Sequence, residues 1–243
     1  MIDCHSHILP AVDDGAMDLA EAIQMLAIAR KDGVSKQVLT PHIHPDHFDN
    51  TCSSIRERFD GFATELAPYE LSIELALAGE FRLCPQLLKM CESEDMLWLG
   101  EWCGKKALLL ELPHNMLPLG SMNVIRWLHR NDIQPILVHP ERNRELQLKM
   151  HLIQEFVDNG CLLQITAGSL IGQFGIAAKN IAIKLLSQNL VNFMASDAHN
   201  VSYRPPNLAA GVAEAAGIIG ADAALKLVTE APERLLSSSR KAA

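Results

Sequence analysis

Short apolar runs alternate along this chain with longer stretches in which apolar residues recur at every third or fourth position. The short runs predict β-strands, and the longer stretches predict amphipathic helices. The expected strands cover residues 2–7, 37–40, 71–78, 107–110, 135–138, 161–165 and 191–195. The expected helices cover residues 19–32, 55–66, 85–91, 124–128, 152–157 and 176–186. The sequence therefore predicts seven strands in regular alternation with helices.

This alternation predicts a parallel sheet, because consecutive parallel strands have to be joined by crossover connections, which are usually helical. With 243 residues, 49% of them hydrophobic, the chain can bury a large core. We expect one domain over residues 1–243, with a frayed tail from about residue 236. A closed or nearly closed β/α barrel is favoured at this length, and a doubly wound open sheet is the second interpretation.

The composition argues against several classes of protein. A net charge of −8 and the lack of a basic run argue against a nucleic-acid-binding surface. The chain begins without a basic segment and long apolar core, and no apolar stretch approaches the roughly 18–20 residues that span a bilayer. We therefore expect a cytoplasmic protein without membrane insertion. The six cysteines contain no CxxC pair and are expected to be reduced thiols.

Histidines and carboxylates occur where the expected strands end. The residues at six of the seven strand ends are His5, His7, His42, Glu80, Glu111, His139, Asp197 and His199, and Asp13 and Asp14 follow the first pair. Residues spaced one apart in a strand, such as His5 and His7, project to the same side. In a barrel the carboxyl ends of all strands share one face, where barrel enzymes build their sites. A single strand-end histidine is more often a cap or a core group, but eight such residues together predict a metal site.

The residue types indicate which chemistry this site could perform. Mixed histidine and carboxylate ligation suits manganese, iron or zinc better than it suits metals that prefer thiolates. Neighbouring divalent ions can activate a water molecule and clamp the oxygens of a phosphoryl group, so we expect phosphate ester hydrolysis by metal-bound hydroxide. Arg142 and Arg204 closely follow the candidate ligands and could hold the non-reacting phosphate oxygens, a bidentate task that suits guanidinium.

Several short motifs resemble one known family when they are read in order. They are H-S-H at 5–7, V-D-D-G at 12–15, P-H at 41–42, G-E at 79–80, L-E at 110–111, H-P-E-R at 139–142, S-D-A-H-N at 196–200 and Y-R-P-P at 203–206. This set resembles the polymerase and histidinol phosphatase (PHP) superfamily. Within that superfamily it is most similar to the metal-dependent protein tyrosine phosphatases of bacterial capsule and exopolysaccharide clusters.

The resemblance implies a fold, a cofactor and a ligand set. The fold would be a distorted (β/α)7 barrel similar to a TIM barrel, holding three divalent ions that are manganese, iron or magnesium. The first ion would be held by His5, His7, Glu80 and Asp197, the second by Glu80, Glu111 and His139, and the third by Asp14, His42 and His199.

The resemblance also implies a substrate. The expected activity is hydrolysis of phosphotyrosine in proteins, with the tail of a bacterial tyrosine kinase that regulates polysaccharide synthesis as the partner. Because a phenol leaves with a pKa near 10, hydrolysis depends less on a dedicated general acid than for an alkyl ester. His42 or a metal-bound water could still assist the leaving group.

Three residues depart from the pattern of this family. Asn143 follows H-P-E-R where close relatives tend to have an aromatic residue, and the loop after the second strand carries the extra histidines His44 and His47. These two histidines are either auxiliary ligands or loop residues at the rim, and the second interpretation is favoured.

Other functions remain as alternatives. A histidinol-phosphate phosphatase would use a similar metal site, and a non-catalytic module that binds a phosphotyrosine tail would need the arginines but not the metal ligands. A polymerase-associated nuclease is disfavoured by the acidic charge. Cys52 and Arg58 have the spacing of a cysteine phosphatase loop, but the residues between them include no glycine and predict the start of a helix.

Overall fold

The computed structural model describes residues 1–93 and 95–237. Its strands are β1 (Ile2–Asp3), β2 (Lys36–Leu39), β3 (His42–Ile43), β4 (Glu74–Leu77), β5 (Glu80–Arg82), β6 (Gly100–Trp102), β7 (Lys105–Glu111), β8 (Ile133–Val138), β9 (Leu162–Thr166) and β10 (Phe193–Ala195). Its helices are α1 (Leu19–Lys31), α2 (Cys52–Leu66), α3 (Leu87–Cys91), α4 (Ser121–Arg130), α5 (Arg144–Leu148), α6 (His151–Asp158), α7 (Ala167–Leu170), α8 (Gly175–Ser187), α9 (Leu208–Ile219), α10 (Ala221–Lys226) and α11 (Glu230–Ser237). Short 3-10 helices lie at Ala67–Tyr69 and Pro140–Arg142.

The longer helices begin at recognisable capping residues. At the start of α1, the carboxylate of Asp18 accepts a hydrogen bond from the Glu21 amide at 2.9 Å. At the start of α2, Thr51 and Ser54 form a reciprocal capping box. Such caps satisfy amide groups that have no partner inside the helix, and they fix where the helix begins.

The strands form two sheets. β1, β2 and β4 form a three-stranded parallel sheet, and the second sheet has the order β10, β9, β8, β7, β5, β3 with parallel pairing throughout. The parallel arrangement predicted from the alternating pattern is confirmed, whereas the described residues do not form one closed sheet. β6, which pairs with β7 in antiparallel fashion, was not predicted.

Each of the expected second and third strands is followed by a further short strand that was not predicted. β2 and β3 are separated by Thr40 and Pro41, while β4 and β5 are separated by Ala78 and Gly79. At both breaks the chain passes from the smaller sheet to the larger one. Pro41 has no amide hydrogen to donate to a ladder, which accounts for the break at that position.

Hydrogen bonds join the N-terminal segment to the segment after β10. Ser6 forms an isolated parallel bridge with Ala198, flanked by backbone bonds from the His7 amide to the Ala198 carbonyl at 2.8 Å and from the Asp197 amide to the His5 carbonyl at 2.9 Å. The buried Asp3 carboxylate accepts bonds from the Ser196 amide at 3.0 Å and the Ser196 hydroxyl at 2.5 Å. These bonds place the first and last strand ends side by side.

The hydrophobic core has two parts. The larger part lies mainly between the sheets and the long helices, and the smaller part is built mainly from strand residues such as Val38, Leu109 and Ile136. Leu235 and Leu236 of α11 belong to the smaller part. Residues 236 and 237 of the expected tail therefore belong to α11. Residues 238–243 lie outside the described part of the chain.

Two further expectations concern the whole chain. All six cysteines are free thiols. Among the described residues, no helix combines the length and the apolar character that crossing a membrane requires.

We predict that Asp3→Ala destabilises the fold by about 1–3 kcal/mol, because it leaves the buried amide and hydroxyl of Ser196 without their acceptor. Urea unfolding of the metal-free protein measures this loss directly. The matched control is Asp60→Ala at an exposed helical position, where a change within about 0.5 kcal/mol is expected. Equal effects of the two substitutions would show that the Asp3 contacts do not hold the strand ends together.

Candidate metal centre

The ends of the parallel strands gather the predicted ligands in one place. His5 and His7 follow β1, His42 and Glu80 open β3 and β5, and Glu111 ends β7. His139 follows β8, and Asp197 and His199 follow β10. All of these residues are buried, whereas Asp14 is exposed at the edge of the cluster. The strands therefore point eight buried ionisable groups at a common region.

The side-chain atoms form three overlapping groups in which the ligand atoms lie within 4.8 Å of one another. The groups are His5, His7 and Glu80; His42, Glu80 and Glu111; and His7, Asp14, His42 and His199. Two further candidates lie against them. Asp197 Oδ1 is 3.4 Å from His5 Nε2 and 3.3 Å from His7 Nε2, and His139 Nε2 is 2.9 Å from Glu80 Oε1.

Several buried polar atoms in this cluster make no hydrogen bond of acceptable geometry within the described part of the chain. They are His42 Nδ1, Glu80 Oε2, Glu111 Oε2, Asp197 Oδ1 and His199 Nε2. His42 Nδ1 and Glu80 Oε2 are only 2.8 Å apart, yet they are not aligned with each other. Buried polar groups normally have hydrogen-bond partners. Unpartnered atoms that converge on one region therefore indicate a bound group that would contact them. A set of imidazole nitrogens and carboxylate oxygens fits divalent cations.

The ligand histidines are oriented by a layer of supporting groups. Gln164 Oε1 lies 2.7 Å from His5 Nδ1, and Asp13 Oδ2 lies 2.8 Å from His7 Nδ1. Both contacts leave the Nε2 atoms directed at Glu80 and Asp197. Such partners fix the ring orientation and raise the basicity of a histidine ligand.

The sequence predicts no role for either of these supporting residues. Asp13 stands in the V-D-D-G motif, from which the sequence predicts only Asp14 as a ligand. Asp13 also accepts a hydrogen bond from the His42 amide at 3.0 Å, so it joins the segment of His7 to the segment of His42. Gln164 lies inside the one expected strand whose end carried no histidine or carboxylate, and therefore nothing in the pattern marked it.

Gly15 permits the close turn that brings the V-D-D-G segment back over the first ligands. A Cβ atom at this position would overlap the carbonyl oxygen of His7. The Ala16 amide also donates to that carbonyl at 3.0 Å. The glycine of the motif is thus required by packing, and it allows Asp13 to reach the ring of His7.

Charge balance holds this buried cluster together. Burial disfavours the protonated form of His42, but Glu80 and Asp14 outweigh burial and raise its pKa to about 10. Burial likewise opposes the charged form of Glu80, yet His5, His42 and His139 hold its pKa well below the usual value. In the metal-free protein, protons on the imidazoles therefore neutralise the carboxylates.

Two other ligands titrate differently. Burial together with the neighbouring Glu80 carboxylate raises the pKa of Glu111 to about 7. Burial and the positive charge of Arg142 lower the pKa of His139 to about 3, so this imidazole is neutral at physiological pH. A neutral imidazole is the form that binds a metal.

The two predicted phosphate-binding arginines lie together beside Asp197. Arg142 Nη1 and Arg204 Nη2 both donate to Asp197 Oδ2, the latter at 2.6 Å. A third arginine, Arg82, which the sequence pattern does not mark as a candidate, has its Nη2 atom 3.0 Å from Glu111 Oε2. The structure thus brings Arg142 and Arg204 to the edge of the cluster of candidate ligands.

The residues outside the family pattern have identifiable positions. His44 and His47 face each other with ring centroids 5.0 Å apart, and neither belongs to the three ligand groups. Asn143 caps α5 by accepting from the Leu146 amide, and its side-chain amide donates to the carbonyls of Pro113 and Met116. It therefore ties the loop after β7 to the H-P-E-R segment.

The cysteine phosphatase alternative is inconsistent with the structure. Cys52 and Arg58 both lie in α2, so the residues between them are helical and cannot wrap round a phosphate. Burial raises the pKa of the Cys52 thiol, the opposite of what a nucleophilic cysteine needs. The guanidinium of Arg58 is bound to Glu65 at 3.1 Å.

Comparison with known proteins identifies similar chains. A family model described as capsular polysaccharide synthesis, CpsB/CapC, matches residues 1–237. The tyrosine-protein phosphatase YwqE of Bacillus subtilis is 34% identical over 204 residues, which are 84% of this chain and 79% of that protein. The tyrosine-protein phosphatase CpsB of Streptococcus pneumoniae is 27% identical over 247 residues, which cover 97% of this chain and 98% of that protein.

The similarity extends to three dimensions. A chain from the crystal structures of YwqE from Bacillus subtilis and CpsB from Streptococcus pneumoniae, described as unique metal-dependent tyrosine phosphatases, matches with a TM-score of 0.90 at 32% identity. The match covers 98% of this chain and 95% of the solved one.

We predict that metal binding to the metal-free protein at pH 7 releases protons, because His42, with a pKa of about 10, has to become neutral. Glu111, with a pKa of about 7, is mainly protonated at pH 6 and mainly ionised at pH 8, so proton release should fall between these values while affinity rises. Manganese titration by calorimetry, in buffers of different ionisation enthalpy, measures the number released. Binding without proton release at pH 7 would contradict the charge balance described above.

Proposed function

Because this chain belongs to the CpsB/CapC family of capsular polysaccharide synthesis, we propose that it is a metal-dependent phosphatase that hydrolyses phosphotyrosine in proteins. The family resemblance predicted from the motifs is thereby confirmed. The observation that carries the proposal is the convergence of orphaned nitrogen and oxygen atoms at the strand ends, beside two arginines.

The proposed ligands are the nine residues predicted from the sequence: His5, His7, Asp14, His42, Glu80, Glu111, His139, Asp197 and His199. We propose three ions, with manganese as the first candidate and iron, magnesium or zinc as others. His5, His7, Glu80 and Asp197 would hold the first, Glu80, Glu111 and His139 the second, and Asp14, His42 and His199 the third.

The proposed fold is a distorted barrel of seven strand positions. β2 with β3, and β4 with β5, would each count as one bent position. The bridge between Ser6 and Ala198 supports this proposal, because it lies between the first and the last position. The ligands would then lie at the carboxyl-terminal mouth, as in barrel enzymes.

Each group at the mouth has a proposed task. Divalent ions bound here would supply an activated water and neutralise charge on the phosphoryl group. Arg142 and Arg204 would hold the non-reacting phosphate oxygens. Both nitrogens of His42 face carboxylates, Glu80 at 2.8 Å and Asp14 at 3.4 Å, which supports a role as ligand over a role as general acid. A phenolate leaving group can depart without such an acid.

The proposed substrate is the phosphorylated tail of a bacterial tyrosine kinase that regulates capsule or exopolysaccharide synthesis. This choice follows from the family resemblance, and the described family role in capsular polysaccharide synthesis supports it. Such a kinase would be phosphorylated where ATP is available, so we propose that the phosphatase acts in the cytoplasm.

The first test is hydrolysis of a phosphotyrosyl peptide by purified protein of known metal content. We expect activity that disappears with a chelator, returns with manganese and persists in Cys52→Ser. Turnover of histidinol phosphate without turnover of the peptide would support the proposed metal centre but show that the substrate is a small phosphate ester. Peptide binding without any turnover would favour the non-catalytic alternative.

We predict that Glu80→Gln lowers kcat/KM for the peptide by more than about 100-fold, since loss of a supporting partner alone typically costs 10–100-fold. The substitution keeps the shape of the side chain and removes the charge that faces His5, His7 and His42. Elemental analysis should show fewer bound ions in this variant.

The matched control for this prediction is Glu101→Gln, which makes the same chemical change in β6. It should retain wild-type turnover and metal content. A Glu80→Gln protein with full metal content and full activity would contradict the proposed centre.

A further inference from the structure

We propose that Phe174 is a positioning residue for phosphate recognition: the face of its ring holds the guanidinium groups of Arg142 and Arg204 side by side, so that both can bind one phosphate. The inference rests on the proposed function of the two arginines. The sequence predicts no role for Phe174, which immediately precedes α8 and lies thirty residues before Arg204 in the chain.

Arg142 and Arg204 both contact the ring of Phe174 with the geometry of a cation–π pair. The guanidinium carbon of Arg142 lies 4.4 Å from the centroid of Phe174, and that of Arg204 lies 5.7 Å from it. Both values are within the roughly 6 Å at which an aromatic face attracts a cation. The ring of Phe174 is partly buried, so water screens the attraction less than it would on an open surface.

Two guanidinium groups at such close quarters repel each other, and the structure provides two compensating features. The first is Asp197 Oδ2, to which both arginines donate. Asp197 is also a proposed metal ligand, so its charge is shared with the cation. The second is Phe174, which attracts both cations without competing for the metal or for an anion.

The turn that carries Phe174 has the shape needed to present the ring. Gly172 and Gly175 flank Gln173 and Phe174, with φ values of +84° and +86° that favour glycine. The Gln173 side chain donates to the carbonyl of Tyr203, the residue before Arg204. The G-Q-F-G turn is thus joined to the segment of one arginine while its ring contacts both.

A close approach under the turn supports the same conclusion. A Cβ on Gly168 would overlap Gln173 Oε1 and would lie 3.1 Å from the ring of Phe174. The turn therefore packs directly on α7 (Ala167–Leu170), which limits the movement of the ring.

Arg204 retains a donor that can serve an anion. Its Nε is buried and makes no hydrogen bond within the described residues, although Nη2 is bound to Asp197. A bidentate guanidinium presents two parallel N–H groups to phosphate, and their orientation decides whether both can bind. By fixing the plane of the guanidinium, Phe174 would act on phosphate affinity through the arginines.

The test is calorimetric binding of inorganic phosphate to the manganese-loaded protein, which does not depend on turnover of any peptide. Phe174→Leu keeps an apolar side chain and removes the aromatic face, so we expect phosphate affinity to fall on the order of tenfold. Phe174→Tyr keeps the face and should bind phosphate within about twofold of wild type. Metal content should be unchanged in both variants.

The matched control is Phe59→Leu, the same change at a partly buried position of α2, which should leave phosphate affinity unchanged. A double-mutant cycle separates positioning from direct contact. In an Arg142→Met background, the loss caused by Phe174→Leu should shrink to about threefold or less, because Arg204 alone remains to be positioned.

Three outcomes would overturn the inference. They are wild-type phosphate affinity in Phe174→Leu, an undiminished loss in the Arg142→Met background, and a loss of bound metal that accounts for the whole effect. If Phe174→Leu does not fold, Phe174→Met fills the space with another flexible apolar chain and carries the same expectation. Failure of the wild type to hydrolyse phosphotyrosine would instead overturn the proposed function and leave this measurement intact.

Discussion

The burial of the Glu80 carboxylate is the constraint on which the rest of the site depends. A carboxylate without solvent is costly unless opposite charge surrounds it. Its oxygens lie within 3.5 Å of His5, His7, His42 and His139, which come from three other strand ends. The fold buries this group by bringing those strand ends together, and the same arrangement makes a set of candidate metal ligands.

Backbone conformation also helps to direct two of the clustered side chains inward. His139 and Asp197 have φ values of +35° and +51°, which are uncommon for residues other than glycine. His139 follows directly on β8 and Asp197 is the second residue after β10, and each amide bonds across to a neighbouring segment, His139 to the Gln164 carbonyl at 2.7 Å and Asp197 to the His5 carbonyl at 2.9 Å. The surrounding hydrogen bonds hold these conformations, and the side chains consequently turn inward immediately after the strand.

The sequence predicted which histidines and carboxylates the fold gathers at the strand ends, because strand-end position and residue type are both local properties. It predicted Glu80 and Glu111 from the apolar runs before them, without any knowledge of distance. Gln164 and Phe174 could not be predicted in this way, since an internal strand residue and a turn residue acquire their roles only from partners far along the chain. The short strands β3 and β5 were also not predicted, because segments of two or three residues are too short to show an alternating pattern.

The proposed charge of the metal-loaded centre would allow an acidic protein to attract an anion. The proposed ligands include four carboxylates, those of Asp14, Glu80, Glu111 and Asp197, and these cannot neutralise three divalent ions. The loaded centre together with Arg142 and Arg204 would be locally positive although the chain carries a net charge of −8. A local field at a cleft, rather than net charge, determines which ligand is drawn in. Asp197 lies between the candidate metal ligands and the arginines, because its Oδ1 faces the ligands and its Oδ2 faces the arginines.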